Sequence, residues 1–157
     1  MSEGKFKEEL ARLPYVVSVV TVGFGSTSNG LTVSWLSQVS FDPPMLMFAI
    51  DKLHFSTELL DDMPSFVVNL LGDDQAEVAA HFAKRSMSDE AKLDVYETKE
   101  TDAGLVILSD ALAYYVCDVV AKHEVGGHHI IVGEVTEAAS LREGKPLTTE
   151  SGLRYKK

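Results

Sequence analysis

The sequence contains a single cysteine, Cys117, so it cannot form an intrachain disulfide or a cysteine-based zinc site. Basic residues are also scarce, because 14 Lys and Arg stand against 24 Asp and Glu, which gives a formal net charge of −10. A protein that binds a nucleic-acid duplex or an anionic membrane needs cations to neutralise phosphates. We therefore expect neither a nucleic-acid partner nor a membrane partner.

Long apolar runs are missing as well. No stretch approaches the 18 or so apolar residues that cross a bilayer, and residues 1–10 carry charges instead of the apolar segment of a secretory signal. Apolar residues make up 45% of the chain and charged residues 24%, which is typical of a globular domain. We expect residues 1–157 to form one domain, located in the cytoplasm.

Short, β-branched apolar segments dominate the sequence and predict strands. The predicted strands cover residues 15–22, 31–40, 45–50, 65–71, 112–121, 128–136 and a short piece at 153–155. Helices are predicted at 3–13, 58–62 and 74–84, and residues 86–104 as an excursion over the surface. Turn-forming residues at 23–30 and at 125–127 indicate two hairpins. Because a regular βαβ alternation is absent, the pattern predicts an antiparallel barrel with peripheral helices.

The sequence gives little support for three common kinds of site: a dinucleotide-binding loop, a metal site and a catalytic cysteine. The glycines at 23–30 lack the third glycine and the following helix of a dinucleotide-binding fingerprint. His128 and His129 are adjacent on a predicted strand, where successive side chains point to opposite faces, so we predict one functional histidine and no metal site. Cys117 lies in an apolar strand beside Asp118, and we expect a buried, unreactive thiol.

A run of hydroxyl residues along the second predicted strand is more informative. Thr32 and Ser34 fall on one face of that strand and Ser37 on the other. A strand usually turns one face to the core, so polar groups on both faces fit either a solvated edge strand or a strand that lines a site. The pattern alone leaves both interpretations open.

Residues 31–44, with the sequence LTVSWLSQVSFDPP, resemble the hallmark segment of the flavin reductase-like family, the FMN-binding split barrels. Further segments resemble that family in the same order along the chain. These are the first strand at 15–22, the step at Ser56 and Thr57, the strand FVVNLL at 66–71, the helix at 75–82 and the segment GHHIIVGEV at 127–135. The resemblance covers about residues 10–155.

The resemblance implies a mainly β fold, a six-stranded antiparallel Greek-key split barrel with a few short peripheral helices. It also implies a homodimer with one FMN per subunit, and His128 as the catalytic residue near the nicotinamide side of the flavin. The implied cofactor-binding residues are Thr32, Val33, Ser34, Trp35, Leu36, Ser37, Asp51, Lys52, His54, Ser56, Thr57 and Phe82.

Two positions depart from the family pattern. Trp35 stands where members carry a second serine, and His54 stands where many relatives have arginine. Lys52 is a candidate substitute cation for the flavin phosphate.

The function implied is an NAD(P)H:flavin oxidoreductase that passes hydride from NADH or NADPH to FMN, with FAD as an alternative flavin. A monooxygenase or another redox protein is the expected partner. The flavin carries the redox chemistry, so no catalytic triad or carboxylate pair is required. Two alternatives stay open: a flavoredoxin-like FMN electron carrier without NAD(P)H activity, and a non-redox module that binds haem or another small molecule.

Overall fold

A computed structural model describes residues 4–23, 28–52, 64–84 and 93–151. Within these ranges the chain forms two α-helices and nine strands. The helices are α1 (Lys7–Leu10) and α2 (Ala76–Ala83). The strands are β1 (Ser18–Val22), β2 (Asn29–Val33), β3 (Leu36–Phe41), β4 (Pro44–Asp51), β5 (Ser65–Leu70), β6 (Thr98–Glu100), β7 (Val106–Leu108), β8 (Ala113–Val125) and β9 (His128–Ser140).

Seven of the strands form one antiparallel sheet in the order β2-β1-β5-β8-β9-β4-β3, and β6 pairs with β7 in a separate two-stranded sheet. The long β8–β9 hairpin lies near the middle of the large sheet. Its turn consists of Gly126 and Gly127, and Gly126 has a φ of 55°, a left-handed conformation that favours glycine. The expected mainly β fold with few short helices is confirmed.

The expected count of six strands is wrong. The large sheet has seven strands and its hydrogen-bonded order does not close into a barrel. The segment predicted as one strand at 31–40 is two strands, because the chain bends at Ser34 and Trp35, and β2 and β3 lie at opposite edges of the sheet. The Leu36 N–H donates to the Ser34 carbonyl (3.1 Å), and the Ala49 N–H donates to the Trp35 carbonyl (2.9 Å). Ser34 and Trp35 therefore connect the two edge strands of the large sheet, β2 and β3.

Other predicted elements differ in extent. The first helix is shorter than predicted, a single turn at α1. Leu10 at its end and Phe6 just before it are both exposed instead of packed against the sheet. Both strands of the β8–β9 hairpin are longer than predicted, and β6 lies within the predicted surface excursion. The predicted helix at 58–62 and the predicted strand at 153–155 lie outside the described residues.

The large sheet has a hydrophobic core on one face. Phe48 and Phe66 meet edge to face there, with ring centroids 5.0 Å apart, and Leu31 and Ile131 pack in the same cluster. A Cβ atom on Gly133 would lie 2.7 Å from Phe66 Cζ, so only glycine fits where β9 crosses this ring. This cluster fixes the relative positions of β1, β4, β5, β8 and β9.

A second hydrophobic cluster joins α2 to β1 and β2. Phe82 and Ala79 of α2 are fully buried in it, together with Val17 and Val19. Gly30 of β2 lets the Phe82 ring approach, because a Cβ atom there would lie 2.9 Å from two ring carbons. Helix α2 therefore covers the face of β2 that points away from the first cluster. No helix within the described ranges is long and apolar enough to cross a membrane.

Candidate functional site

Three aromatic rings from distant parts of the chain lie in a row, which we call the aromatic row: Tyr15, Trp35 and His128. The ring centroids of Trp35 and His128 are 4.9 Å apart with an interplanar angle of 39°. Those of Tyr15 and Trp35 are 6.5 Å apart at 53°. Trp35 is 40% exposed even though it contacts both neighbours. The row therefore presents an aromatic surface to solvent where β2 passes into β3.

Hydrogen bonds to the main chain hold the three segments that carry these rings. The Tyr15 N–H donates to Thr149 Oγ1 (3.1 Å), and the Thr149 N–H donates to the Tyr15 carbonyl (2.9 Å). Trp35 is fixed by the bond from Ala49 described above. His128 opens β9, where it pairs with Asp51 of β4 and Val125 of β8.

A charged pair lies at the same end of the sheet. The Lys52 N–H donates to the Gly127 carbonyl (3.0 Å), and Lys52 Nζ lies 2.6 Å from Glu124 Oε2. The Lys52 side chain is 33% exposed and that of Glu124 67% exposed. The hydrogen bond from Lys52, and then its charge, hold the pKa of Glu124 below its usual value. An exposed pair of this kind is weak enough for another anion to replace Glu124.

The strand registers separate the neighbouring histidines. His128 lies directly opposite Asp51 on β4 and Val125 on β8, whereas His129 lies directly opposite Ile50 and Glu124. Side chains of successive residues in a strand point to opposite faces of the sheet. Among the sequence-predicted residues, His128, Trp35 and Asp51 therefore come together at one end of the sheet, and Ser34 adjoins Trp35 in the chain. Lys52 follows Asp51 at the same end, but its side chain pairs with Glu124, which lies on the His129 face.

The other predicted residues of the hydroxyl strand are dispersed. Thr32 Oγ1 donates to the Ala79 carbonyl of α2 (2.6 Å), so it fastens the helix to β2. Ser37 is exposed, and its Oγ donates to the Gln38 carbonyl (3.0 Å). The Val33 side chain is buried in the first cluster, against which Leu36 packs.

Phe82 does not join the aromatic row. Its side chain is fully buried in the second cluster, and its ring contacts His81 and Tyr96. A side chain without exposed surface cannot meet a ligand that arrives from solvent, so we correct the expectation for Phe82 and assign it to the core. His54, Ser56 and Thr57 lie outside the described residues.

Cys117 is a buried core residue, as its sequence context predicted. Burial, with a smaller contribution from the charge of Asp118, raises the pKa of the thiol to about 12. A thiol with this pKa is protonated at neutral pH, which makes it a poor nucleophile.

Sequence reasoning missed Tyr15 and Glu124. The two-glycine turn of the β8–β9 hairpin could have placed Glu124 opposite His129, but nothing in the sequence pairs it with Lys52. Tyr15 belongs to an apolar run and carries no signal of its contact with Trp35. A cavity of about 430 Å³, lined by Asp74, Tyr96 and Arg142 among others, contains none of the predicted site residues.

The groups at the end of the sheet suit a particular kind of ligand. Trp35 and His128 offer ring surfaces, and Lys52 offers a cation at the same end of the sheet. This set of donors fits a flat heteroaromatic cofactor that carries a phosphate, such as a flavin mononucleotide. The fold and the site together are those of a mainly β protein with a surface suited to such a cofactor.

Comparison with known proteins identifies the family. Residues 10–154 match the family described as flavin reductase like domain, and the chain belongs to that family. It is 30% identical over 147 residues to FMN reductase (NADH) SmoA of Agrobacterium fabrum, an alignment that covers 94% of this chain and 82% of SmoA. It is 32% identical over 142 residues to the reductase component of 4-hydroxyphenylacetate 3-monooxygenase from Thermus thermophilus, covering 90% and 88%.

A solved structure gives the same result. The chain superposes on the NADH:FAD oxidoreductase SgcE6 of Streptomyces globisporus with a TM-score of 0.85 and 27% identity, covering 93% of this chain and 87% of SgcE6. Some relatives are much longer, since the match spans only 24% of a putative diflavin flavoprotein from Nostoc.

Proposed function

We propose that this chain is an NAD(P)H:flavin oxidoreductase that passes hydride from NADH or NADPH to FMN, with FAD as an alternative flavin. The observation that carries the proposal is the family match over residues 10–154. The name of SmoA specifies FMN and NADH, and a structure of SgcE6 is described as a complex with NAD and FAD fragments. We further propose that residues 1–157 form one flavin reductase-like domain; the cytoplasmic location stays a prediction.

The flavin, when bound, supplies the hydride-accepting chemistry. We assign the residues of the chain to binding and orientation. We propose that Ser34 and Ser37 donate hydrogen bonds to the flavin, Ser37 by giving up its bond to the Gln38 carbonyl, and that Trp35 offers a ring surface. His128 is the proposed catalytic residue, and its ring orientation is supported by the contact with Trp35. Thr32 is proposed to support the flavin site indirectly, because its hydrogen bond to the Ala79 carbonyl holds α2 against β2.

Lys52 is the proposed partner of the flavin phosphate. Asp51, the last residue of β4, is proposed to accept a hydrogen bond from the flavin elsewhere, because its carboxylate repels a phosphate. The Lys52 ammonium is engaged by Glu124 at 2.6 Å, so a phosphate must replace that carboxylate. A phosphate monoester carries a charge of about −1.5 to −2 and three acceptor oxygens, which favours the exchange over an exposed carboxylate. His54, Ser56 and Thr57 are proposed to complete the phosphate site, as the family resemblance implies.

A homodimer and a redox partner are the proposed assembly. Phe48 and Ile50 face the first cluster, so the intervening Met47 and Ala49 face the other side of β4, and Val132 lies beside Met47 on β9. Within the described ranges no element packs on this half-buried apolar face, which supports a contact with a second copy. The Thermus relative is named as the reductase component of a monooxygenase, and we propose a partner of that class.

The barrel is also a proposal. Only Ser34 and Trp35 separate β2 from β3 at the two edges of the sheet, and the Ala49 N–H reaches the Trp35 carbonyl across the gap. This connection supports a split barrel in which β2 and β3 are the two halves of one bent strand.

A turnover assay tests the function. NADH or NADPH oxidation is followed at 340 nm with FMN, FAD or riboflavin as acceptor. We expect flavin-dependent oxidation, and a loss of at least about tenfold in kcat/KM for His128→Asn. Electron transfer from a reduced ferredoxin, without oxidation of either nicotinamide, would favour the flavoredoxin-like carrier instead.

A further inference from the structure

The cavity of about 430 Å³ lies outside the proposed flavin site. Four parts of the chain line it: the turn that leads into α2 with the first turn of that helix, the residues just before β6, the end of β7, and Arg142 after β9. None of the residues assigned to the flavin is among them. Small-molecule sites have volumes of roughly 300–1,000 Å³, so this cavity is large enough for a small organic ligand.

The side chain of Gln75 brings a buried hydrogen-bond donor to this cavity. Gln75 is only 8% exposed, and its Oε1 accepts from the Gly72 N–H (2.8 Å), which fixes the orientation of the amide. The amide nitrogen Nε2 forms no hydrogen bond with any residue that the structure describes. It retains accessible surface, and Gln75 borders the cavity. Because a donor left without an acceptor in so buried a side chain costs stability, the acceptor must come from what the cavity holds.

One wall of the cavity is apolar and contains an ordered ring. Leu108 is buried and Val78 half-buried there. The Tyr96 ring is positioned by two other rings, because its centroid lies 5.2 Å from that of His81 and 5.7 Å from that of Phe82. Such a wall suits an aromatic ligand body, and the face of Tyr96 also attracts a cation.

The charged groups of the cavity favour a positive ligand. The Arg142 guanidinium is engaged, since its Nη2 donates to Asp74 Oδ1 (3.0 Å) and its Nε donates to the Asp110 carbonyl (2.7 Å). Within the described ranges, the carboxylates of Glu97 and Asp110 form no hydrogen bond or ion pair. One guanidinium against three carboxylates leaves an excess of two negative charges in the lining. A cation is therefore attracted to the cavity and an anion is repelled.

We propose that this cavity is a second ligand site, which binds an organic ammonium ion with an aromatic body and a hydrogen-bond acceptor at the end away from the amine. The ammonium pairs with the carboxylates of Glu97 and Asp110, the ring packs against Tyr96, and the acceptor bonds to Gln75 Nε2. A metal cation would leave the amide and the apolar wall unused. This site goes beyond flavin reduction and does not depend on it.

Nuclear magnetic resonance titration of the ¹⁵N-labelled full chain tests the proposal with three related ligands. 4-Methoxyphenethylamine has all three features, phenethylamine lacks the acceptor, and 4-methoxyphenylacetate carries a negative charge on the same ring and ether. We expect a Kd in the millimolar range for the first, as is usual for a ligand of about 11 non-hydrogen atoms. Phenethylamine should bind at least about threefold more weakly, and the acetate should give no saturable shift.

The glutamine side chains report where the ligand binds. The chain has two glutamines, Gln38 and Gln75, so two glutamine side-chain signals are expected. The NH₂ signal of Gln75 should move with 4-methoxyphenethylamine. That of Gln38 should not, because its Nε2 donates to the Ser40 carbonyl (3.0 Å) on β3. Saturable shifts elsewhere, with the Gln75 signal unmoved, would overturn the proposal.

Variants separate the hydrogen bond from the charge. In Gln75→Glu a carboxylate oxygen can still accept from the Gly72 N–H, while the donor is lost. The added charge affects both amines alike, so the preference for the methoxy ligand should disappear. Asp110→Asn should weaken both amines about two- to fivefold, whereas Asp102→Asn, the matched control between β6 and β7 outside this cavity, should bind like the wild type.

Each remaining outcome has one meaning, and thermal unfolding of every variant checks that it is folded. If the acetate binds as tightly as the amines, the assigned charge of the ligand is wrong. A methoxy preference that survives in Gln75→Glu, or equal losses in Asp110→Asn and Asp102→Asn, would contradict the assigned contacts. If none of the three ligands saturates, the cavity holds only water and the proposal fails, whatever the flavin reductase assay shows.

Discussion

Strands β2 and β3 are neighbours in the chain but differ in their surroundings. β2 is almost entirely buried, because Leu31 and Val33 face the first cluster while Gly30 meets Phe82 of α2. β3 is mostly exposed, pairs with β4 alone among the described strands, and ends in Phe41 with 90% of its surface accessible. Residues of one hydroxyl-rich segment are therefore buried before Ser34 and Trp35 and mostly exposed after them.

The comparison shows what determines the role of a residue in this segment. Thr32 and Ser37 carry the same functional group, yet Thr32 fastens a helix and Ser37 bonds only to its neighbour in an exposed strand. The difference arises from the presence of α2 on one side, which is a property of the fold and not of the local sequence. Trp35 lies at the boundary, anchored like β2 and accessible like β3.

The largest expected difference between the two strands is in packing. Leu31→Ala should lower the free energy of unfolding by about 2–5 kcal/mol, because it leaves a cavity in the first cluster. Phe41→Ala should change it by no more than about 0.5 kcal/mol. Chemical denaturation of both variants measures this, and an equal loss in Phe41→Ala would mean that β3 is covered in solution.

Close packing of β2 against α2 should produce the next largest effect. Gly30→Ala would place a Cβ atom 2.9 Å from the Phe82 ring, so we expect a loss of about 1–3 kcal/mol in unfolding free energy. Gly127→Ala is the control, since no atom lies within 4 Å of a Cβ atom there. Combining Gly30→Ala with Phe82→Leu should recover part of the loss; a fully additive pair would contradict the contact.

Removal of the Thr32 hydroxyl and removal of the Ser37 hydroxyl should differ less in their effect on stability. Thr32→Val removes the hydrogen bond to the Ala79 carbonyl and should cost about 1 kcal/mol. Ser37→Ala removes only an exposed bond and should cost less than about 0.5 kcal/mol. Chemical denaturation of both variants measures the two losses of unfolding free energy, and we predict the larger loss in Thr32→Val.

The smallest effect should come from the exposed pair at the end of β4. Lys52 lowers the pKa of Glu124 in the folded state, so the pair stabilises the fold above the ordinary glutamate pKa. That contribution is lost as the pH falls through the lowered pKa. Wild type should therefore exceed Glu124→Gln slightly in thermal stability at pH 7 and low salt, and match it near pH 3. A difference that grows towards low pH would contradict the assigned sign.

Sequence patterns predicted the parts of this fold that depend on local interactions. The β-branched runs of β1 and β5 and the glycine turn of the β8–β9 hairpin are visible along the chain. The bend at Ser34 and Trp35 was missed, because it depends on which sheet edge each half of the segment joins. The resemblance placed His128 and Trp35 in one site, but their contacts with each other and with Tyr15 arise from the fold.

The burial of Phe82 was missed for a related reason. Its helix resembles one that approaches a flavin, but whether the ring faces a ligand or the core depends on Gly30 and on Tyr96, which lie far away in the sequence. The pairing of Lys52 with Glu124 is likewise a long-range contact. Side-chain roles that depend on two distant segments are the ones that the sequence left open.

The measurement that tests the central claim most directly is a visible spectrum of the desalted protein after incubation with FMN, recorded anaerobically before and after addition of NADH and then NADPH. We predict retained flavin absorbance that bleaches with one of the two nicotinamides. Flavin that stays oxidised with both, yet is reduced by dithionite, would contradict the assignment as an NAD(P)H:flavin oxidoreductase.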